Sequence, residues 1–232
     1  MKTIAIIPAG GKGIRSGLSA PKQYLKFTGK ELIAYTIGIF QSNKLIDEII
    51  IAAEKKYHPL LEKLRKKYNL TKITKIVEGG KERQDSVFNA LLSAEADKND
   101  LVAVHDAARP LLPQEVLTEA IKTASVKGNA LVCLKSKDTV VKGSKMVDSY
   151  LNRDEIFNVQ TPQIFKFKDL KKAMEKAYED KFYGTDESVL IKRIGMKIYI
   201  VEGSMLNFKV TTKTDILLLK MILKGKTLIN GN

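Results

Sequence analysis

The residues with the clearest chemical meaning lie near the start of the chain. The apolar run Ile4–Pro8 ends in Ala9-Gly10-Gly11-Lys12-Gly13-Ile14-Arg15, a glycine-dense turn carrying two cations. Lys22 follows seven residues after Arg15, inside Pro21-Lys22-Gln23-Tyr24-Leu25. A buried strand feeding a donor-rich loop makes a phosphate cradle, because glycines let backbone N–H groups approach an anion with no Cβ in the way. Arg15 and Lys22 can then add full positive charge. The turn is not a Walker A loop, which needs Gly-x-x-x-x-Gly-Lys-Ser/Thr. Nor is it the dinucleotide fingerprint: counted from Gly11, the third glycine falls on Ser16, and Gly17 comes one residue late. Taken alone, the same turn also reads as a surface loop with two solvated cations.

Other polar positions admit two readings each. Gly79-Gly80 opens a second glycine turn, and Ser86 sits near the start of the helix behind it, where a hydroxyl can cap the helix or hold a ligand. Asp106 ends a short apolar run, as a magnesium or ribose contact or as a turn aspartate. His105 precedes it on an alternating strand and so points the other way, which favours a buried, hydrogen-bonded histidine over a His–Asp dyad. Thr161 and Gln163 read as polar groups on a rigid turn, Gln160-Thr161-Pro162-Gln163. Arg109, Arg153 and Lys209 each read, alone, as surface charges.

Positioning these residues takes an alternation of short strands and helices. Apolar runs at Ile4–Pro8, Glu48–Ala53, Ile73–Val77, Leu101–Val104 and Ala130–Leu134 read as buried strands. Between them, helical patterns span Glu31–Phe40, Tyr57–Tyr68, the stretch opened by the glycine turn in Glu78–Val87 and running to about Ala96, and Val116–Ala124. That order predicts an α/β fold with a parallel sheet and helices on both faces, and with the loops of Gly11, Gly80 and Asp106 gathered at one edge. The rhythm breaks at 135–158, where Thr139–Lys142 and Lys145–Val147 flank Gly143-Ser144 as a hairpin. Helical patterns return at Lys168–Tyr178 and Asp186–Ile194, then a strand at Lys197–Val201 and a closing helix at Thr214–Leu223.

Composition narrows the classes. The 232 residues are 44% hydrophobic and 28% charged, ordinary for a soluble protein. One cysteine, Cys133, rules out an intrachain disulfide, and with only His58 and His105 beside it there is no usual structural zinc site. No apolar run reaches membrane length and the N-terminus lacks a signal-peptide pattern, so a cytoplasmic protein with no membrane partner is expected. The net charge of +14 fits an acidic ligand or nucleic acid, but no zinc-finger spacing, RNP-type motif or strongly basic tail supports the latter.

Together these stretches resemble the 2-C-methyl-D-erythritol 4-phosphate cytidylyltransferase family. The matching positions are Ala9–Arg15, Pro21–Leu25, Gly79-Gly80, Arg83–Val87, His105–Pro110, Asp138-Thr139, Asn152-Arg153, Gln160–Gln163, Thr185-Asp186 and Asn207–Thr211, in the family's order. Two positions depart: Gly10 stands where the family has alanine, and Lys81 where an acidic residue is usual. The resemblance implies a single Rossmann-like nucleotidyltransferase domain (nucleotide-diphospho-sugar transferase-like) over 1–232, with a mainly parallel sheet. A protruding β-arm at about 135–158 would clasp a homodimer partner. It implies transfer of a cytidylyl group from CTP to 2-C-methyl-D-erythritol 4-phosphate with Mg²⁺. Arg15, Lys22 and Lys209 would be catalytic. Ala9, Gly10, Gly11, Lys12, Gly13, Gly80, Ser86 and Asp106 would bind the nucleotide, with Asp106 also at the metal. Arg109, Thr139, Thr161, Thr185 and a partner-supplied Arg153 would line the acceptor. Ribitol-5-phosphate cytidylyltransferase is the near alternative; Tyr24, Arg83–Val87 and Ala108 favour the methylerythritol enzyme. A dinucleotide oxidoreductase or a nucleic-acid-binding module are remoter readings.

Overall fold

A computed structural model describes residues 1–11 and 21–229, with side chains as far as residue 225. The first strand, β1 (Thr3–Pro8), is an interior strand of a seven-stranded sheet. It is flanked in parallel by β4 (Glu48–Ala53) and β6 (Leu101–Val104), and β5 (Ile73–Glu78) extends the sheet beyond β4. These strands read as continuous apolar runs because both faces are covered. Ile4 and Ile6 pack with helices α3 (Arg83–Ser93), α5 (Phe167–Glu179) and α6 (Glu187–Arg193). Ala5 and Ile7, one step round the pleat, face α1 (Leu32–Ser42), α2 (His58–Lys67) and α4 (Gln114–Lys127).

Beyond β6 the sheet changes direction. β10 (Phe157–Lys166) runs antiparallel between β6 and β7 (Asn129–Lys135), and the short β11 (Ile200–Glu202) pairs in parallel with β7 at the far edge. The expected turn at Gln160–Gln163 is therefore the interior of a ten-residue strand. Pro162 suggests a break because it offers no N–H to a ladder, yet the ladder shifts register between Val159 and Gln163, and that bulge takes the proline. The strand expected at Lys197–Val201 shrinks to three residues at the edge.

The expected hairpin is present but displaced. Its strands are β8 (Val140–Gly143) and β9 (Val147–Leu151), a two-stranded sheet of its own, and every residue from 141 to 155 is exposed. Two smaller strands, β2 (Lys26–Phe27) and β3 (Lys30–Glu31), precede α1, and α7 (Lys213–Ile229) closes the described chain. With its parallel sheet, its one inserted antiparallel strand and helices on both faces, the architecture is the expected α/β class.

β10 joins the two halves of the sheet, and Phe165 on it is completely buried against the face holding Val102, Leu170 and Met174. Phe165→Ala is expected to destabilise the fold by about 3–5 kcal/mol, read from urea unfolding. A loss below about 1 kcal/mol would show that the second half of the sheet does not depend on this strand.

Candidate active site

The C-terminal ends of β1, β5, β6, β7 and β11 open on one edge of the sheet, and Ala9, Gly10, Gly80, Ser86, Asp106, Arg109 and Lys209 collect there. Ala9 continues from β1, its N–H donating to Ala52 O at 2.7 Å. Gln23 Nε2 donates to Ala9 O at 2.7 Å and Gly11 O at 2.9 Å, and the Tyr24 hydroxyl donates to Ala9 O at 3.1 Å. Tyr24 stacks on Tyr57 with ring centroids 4.0 Å apart. Gln23 and Tyr24 thus clamp the start of the first loop, and Lys22 beside them is half-buried. Lys12, Gly13 and Arg15 lie outside the described residues.

The second glycine turn folds against the first. Gly80 N–H donates to Ser86 Oγ at 3.0 Å, and that hydroxyl donates to Glu82 O at 3.1 Å. A Cβ added at Gly80 would lie 2.1 Å from Asp85 Cβ, so only glycine fits. A Cβ at Gly10 would meet Ser86 Oγ at 3.4 Å, an ordinary contact. The departure at Gly10 therefore opens a little space and breaks nothing. Lys81, the other departure, is exposed.

The third loop carries the charge. Asp106 Oδ1 accepts from Arg83 Nε at 2.9 Å, and Oδ2 lies 2.7 Å from Lys209 Nζ and 3.9 Å from Arg109 Nε. Burial by itself would raise the Asp106 pKa, but Arg83 and Lys209 hold the carboxyl well below the usual carboxylate range. Asp106 is thus an ionised hub. Burial opposes the charge on Arg83, but Glu187 and Asp106 together raise its pKa above the ordinary arginine value. Burial lowers the pKa of Arg109, which donates through Nη1 to Asn207 O at 2.6 Å.

Behind Asp106 lies a chain of neutral hydrogen bonds. Thr161 Oγ1 accepts from Asp106 N–H at 3.2 Å and sits 3.0 Å from His105 Nδ1, while His105 Nε2 is 3.1 Å from Arg109 O. A carbonyl only accepts, so Nε2 carries the proton and Nδ1 accepts from the Thr161 hydroxyl. His105 is fully buried, as expected, and burial lowers its pKa from 6.5 to about 4. Thr161 is buried too, its hydroxyl committed to His105 and Asp106. Asn207 Nδ2 donates to Gln160 Oε1 at 3.0 Å and Thr161 O at 2.7 Å, which fixes the loop bearing Lys209.

The structure brings Ala9, Gly10, Gly80 and Ser86 together, and groups Asp106, Arg109, Thr161 and Lys209. Arg109 and Lys209 are therefore not free surface charges. Thr139 and Arg153 are exposed on the arm, where Arg153 Nη1 reaches Lys137 O at 3.4 Å, and Thr185 is exposed before α6. Among the described residues none of these three bonds to the Asp106 cluster. Sequence reasoning did not assign roles to Arg83, Glu187, Gln23 or Asn207; all four sit in or beside the motif stretches, and that adjacency is the signal that could have found them. Among the described residues no three His, Cys, Asp or Glu side chains form a metal cluster. Asp106 offers hard oxygen donors of the kind magnesium takes, and Arg83 and Lys209 already hold its two oxygens.

A parallel sheet with two glycine turns and a cationic cluster at its C-terminal edge defines a nucleotide-binding α/β enzyme that handles phosphates. The family profile described as 2-C-methyl-D-erythritol 4-phosphate cytidylyltransferase matches residues 3–225. A protein of that name from Geotalea uraniireducens is 36% identical over 97% of this chain and 98% of its own length. Another, from Clostridioides difficile, is 39% identical over 94% of this chain and 92% of its own. Among solved structures, 4-diphosphocytidyl-2C-methyl-D-erythritol synthase from Anaerococcus prevotii superposes with a TM-score of 0.84 at 30% identity, covering 96% of each chain. The chain belongs to the 2-C-methyl-D-erythritol 4-phosphate cytidylyltransferase family.

His105 provides a test of the buried network. Its depressed pKa stabilises the fold fully above pH 6.5, and that contribution is lost as pH falls through about 4. Unfolding free energy should fall by about 1.4 kcal/mol per pH unit across this window. His105→Gln cannot titrate, and urea melts in metal-free buffer should show a flatter pH slope for it. Equal slopes would mean that His105 is not held neutral by burial.

Proposed function

We infer that the protein joins CTP and 2-C-methyl-D-erythritol 4-phosphate, releasing pyrophosphate and 4-diphosphocytidyl-2-C-methyl-D-erythritol. The observation that carries this reading is the convergence of the two glycine turns and the Asp106–Lys209–Arg109 cluster at one sheet edge, in a chain of this family. A phosphate oxygen of the acceptor attacks the α-phosphorus of CTP in line, and the bond to the β-phosphate oxygen breaks. The acceptor phosphomonoester is already ionised, so no protein nucleophile is required, and catalysis rests on alignment and charge neutralisation.

Ala9, Gly10, Gly80 and Ser86 bind the base and ribose, and Gly11 with Lys12 and Gly13 cradles the leaving pyrophosphate. Arg15 and Lys22 hold the triphosphate. Of the three cations on Asp106, Lys209 is the most exposed, at 37%, and it turns toward the reacting phosphate. Asp106 contacts the ribose and would hold a magnesium ion, which supplies further neutralisation of phosphate charge. Arg109, Thr139 and Thr185 line the acceptor, and Thr161 acts there through Asp106 and His105. Among the described residues no helix is long and apolar enough to cross a membrane. A cytoplasmic enzyme with no nucleic-acid partner fits this reading.

The acceptor is tested directly: purified protein with CTP, Mg²⁺ and each polyol phosphate should turn over methylerythritol phosphate well above ribitol 5-phosphate. Equal or better use of ribitol 5-phosphate would overturn the acceptor assignment.

The chain is further read as one domain whose arm clasps a second copy and delivers Arg153 to that copy's site. Val141, Met146, Val147 and Tyr150 are exposed on the arm and need a surface to cover them. Lys22→Ala should lower kcat by ~10²-fold, the scale of one lost transition-state contact. Mixed with Arg153→Ala subunits under exchange, half the dimers pair the two lesions and carry one intact site each, so activity should return to about a quarter of wild type. Verified exchange with no recovery would place Arg153 in its own chain's site or in none.

A further inference from the structure

Glu187 is among the most deeply buried carboxylates described here, with a side chain 2% exposed. Its Oε1 accepts from Arg83 Nη1 at 2.7 Å, and the same guanidinium donates through Nε to Asp106 Oδ1 at 2.9 Å. Arg83 is thus held between two carboxylates, Glu187 on the inside and Asp106 at the rim. A carboxylate this buried is a poor stabilising device, because desolvation opposes its Coulomb gain and an apolar side chain of similar volume often serves stability as well. Glu187 Oε2 has no hydrogen-bond partner among the described residues, a further cost that packing alone does not explain.

The neighbourhood fixes Glu187 firmly. Asp186 caps α6 by accepting from Val189 N–H at 3.1 Å, and Gln163 Oε1 on β10 accepts from Ser188 N–H at 2.9 Å. Gln84 on α3 ties down the approach, accepting from Gly184 N–H at 2.9 Å and donating to Phe182 O at 3.2 Å. Gly184 leaves room for that approach, since a Cβ there would lie 2.8 Å from Leu190 Cδ2. Glu187 is therefore a fixed point, whereas Arg83 is a long side chain that needs one.

We propose that Glu187 is a positioning residue for cytidylyl transfer, holding Arg83 so that its guanidinium orients Asp106 and leaves Lys209 shared between Asp106 and the substrate phosphates. With Glu187 in place, Arg83 divides its charge between two carboxylates. Asp106 then keeps enough negative charge to hold Lys209 in the site. Without Glu187, Arg83 pairs with Asp106 alone, both groups shift, and Lys209 loses its anchor. The inference rests on the cytidylyl-transfer reading above.

Three variants test it: Glu187→Leu, Arg83→Met, and both together. Glu187→Leu is expected to lower kcat ~10-fold or more, the effect of a misplaced site group, whereas in the Arg83→Met background it should change kcat less than about two-fold. A crystal structure of Glu187→Leu should show the Arg83 guanidinium turned wholly onto Asp106 and Lys209 Nζ displaced from its 2.7 Å contact with Asp106 Oδ2. The double variant should melt no lower than wild type and remain slow. Independent, multiplying losses in kcat would overturn the proposal, and so would a folded double variant with wild-type kcat. An undisturbed Lys209–Asp106 contact in Glu187→Leu would also overturn it. That structural result stands even if wild-type protein fails to use methylerythritol phosphate, an outcome that would count against the proposed reaction and not against the positioning role.

Discussion

Asp106 is the point at which the site is held together. Its carboxylate meets Arg83 from α3, Arg109 from its own loop and Lys209 from the loop after β11. Three cations crowded at one edge would repel one another and spread into solvent; one buried anion keeps them converged. Asp106 stays ionised because of the cations it holds, so anion and cations fix one another. Such an arrangement suits a reaction whose difficulty is charge. Donors that are already aimed need little reorganisation when a triphosphate and a second phosphate approach each other.

The antiparallel strand β10 ties the rest of the edge to that point. Three polar residues on it reach three different loops. Thr161 supports Asp106 and His105, Gln160 holds Asn207 and Ser204, and Gln163 receives the start of α6. An uninterrupted ladder of apolar residues would pack better, but it would leave the loops of Asp106, Lys209 and Glu187 independent of one another. The bulge at Val159–Gln163 is where the strand yields regular pairing to make these bonds.

The two glycine turns show the same economy. Gly10, Gly79 and Gly80 all face Ser86, whose hydroxyl is held by Gly80 N–H and Glu82 O. Gly80 is demanded by the closeness of Asp85, while Gly10 has space for the alanine usual in the family. One departure from the family pattern is therefore sterically mild, and the other, Lys81, sits on the surface.

Much of this was legible in the sequence because it is local. Short continuous apolar runs marked β1, β4, β5, β6 and β7, and period-3.6 patterns marked the helices between them, since burial of a strand or helix face is written in adjacent residues. The order of glycine turns, Pro-Lys-Gln-Tyr and the later polar stretches identified the family. His105 was correctly expected to be buried and hydrogen-bonded from strand alternation alone. The sequence did not reveal β10, because Pro162 hides a strand whose bulge exists only once β6 and β7 flank it. Nor did it reveal that Arg109 and Lys209 share one carboxylate, or that Arg83 reaches Glu187 across 104 residues. A charged side chain carries no local mark of its partner. Pairing is decided by which loops the sheet brings to the same edge, and that is settled only when the whole chain has folded.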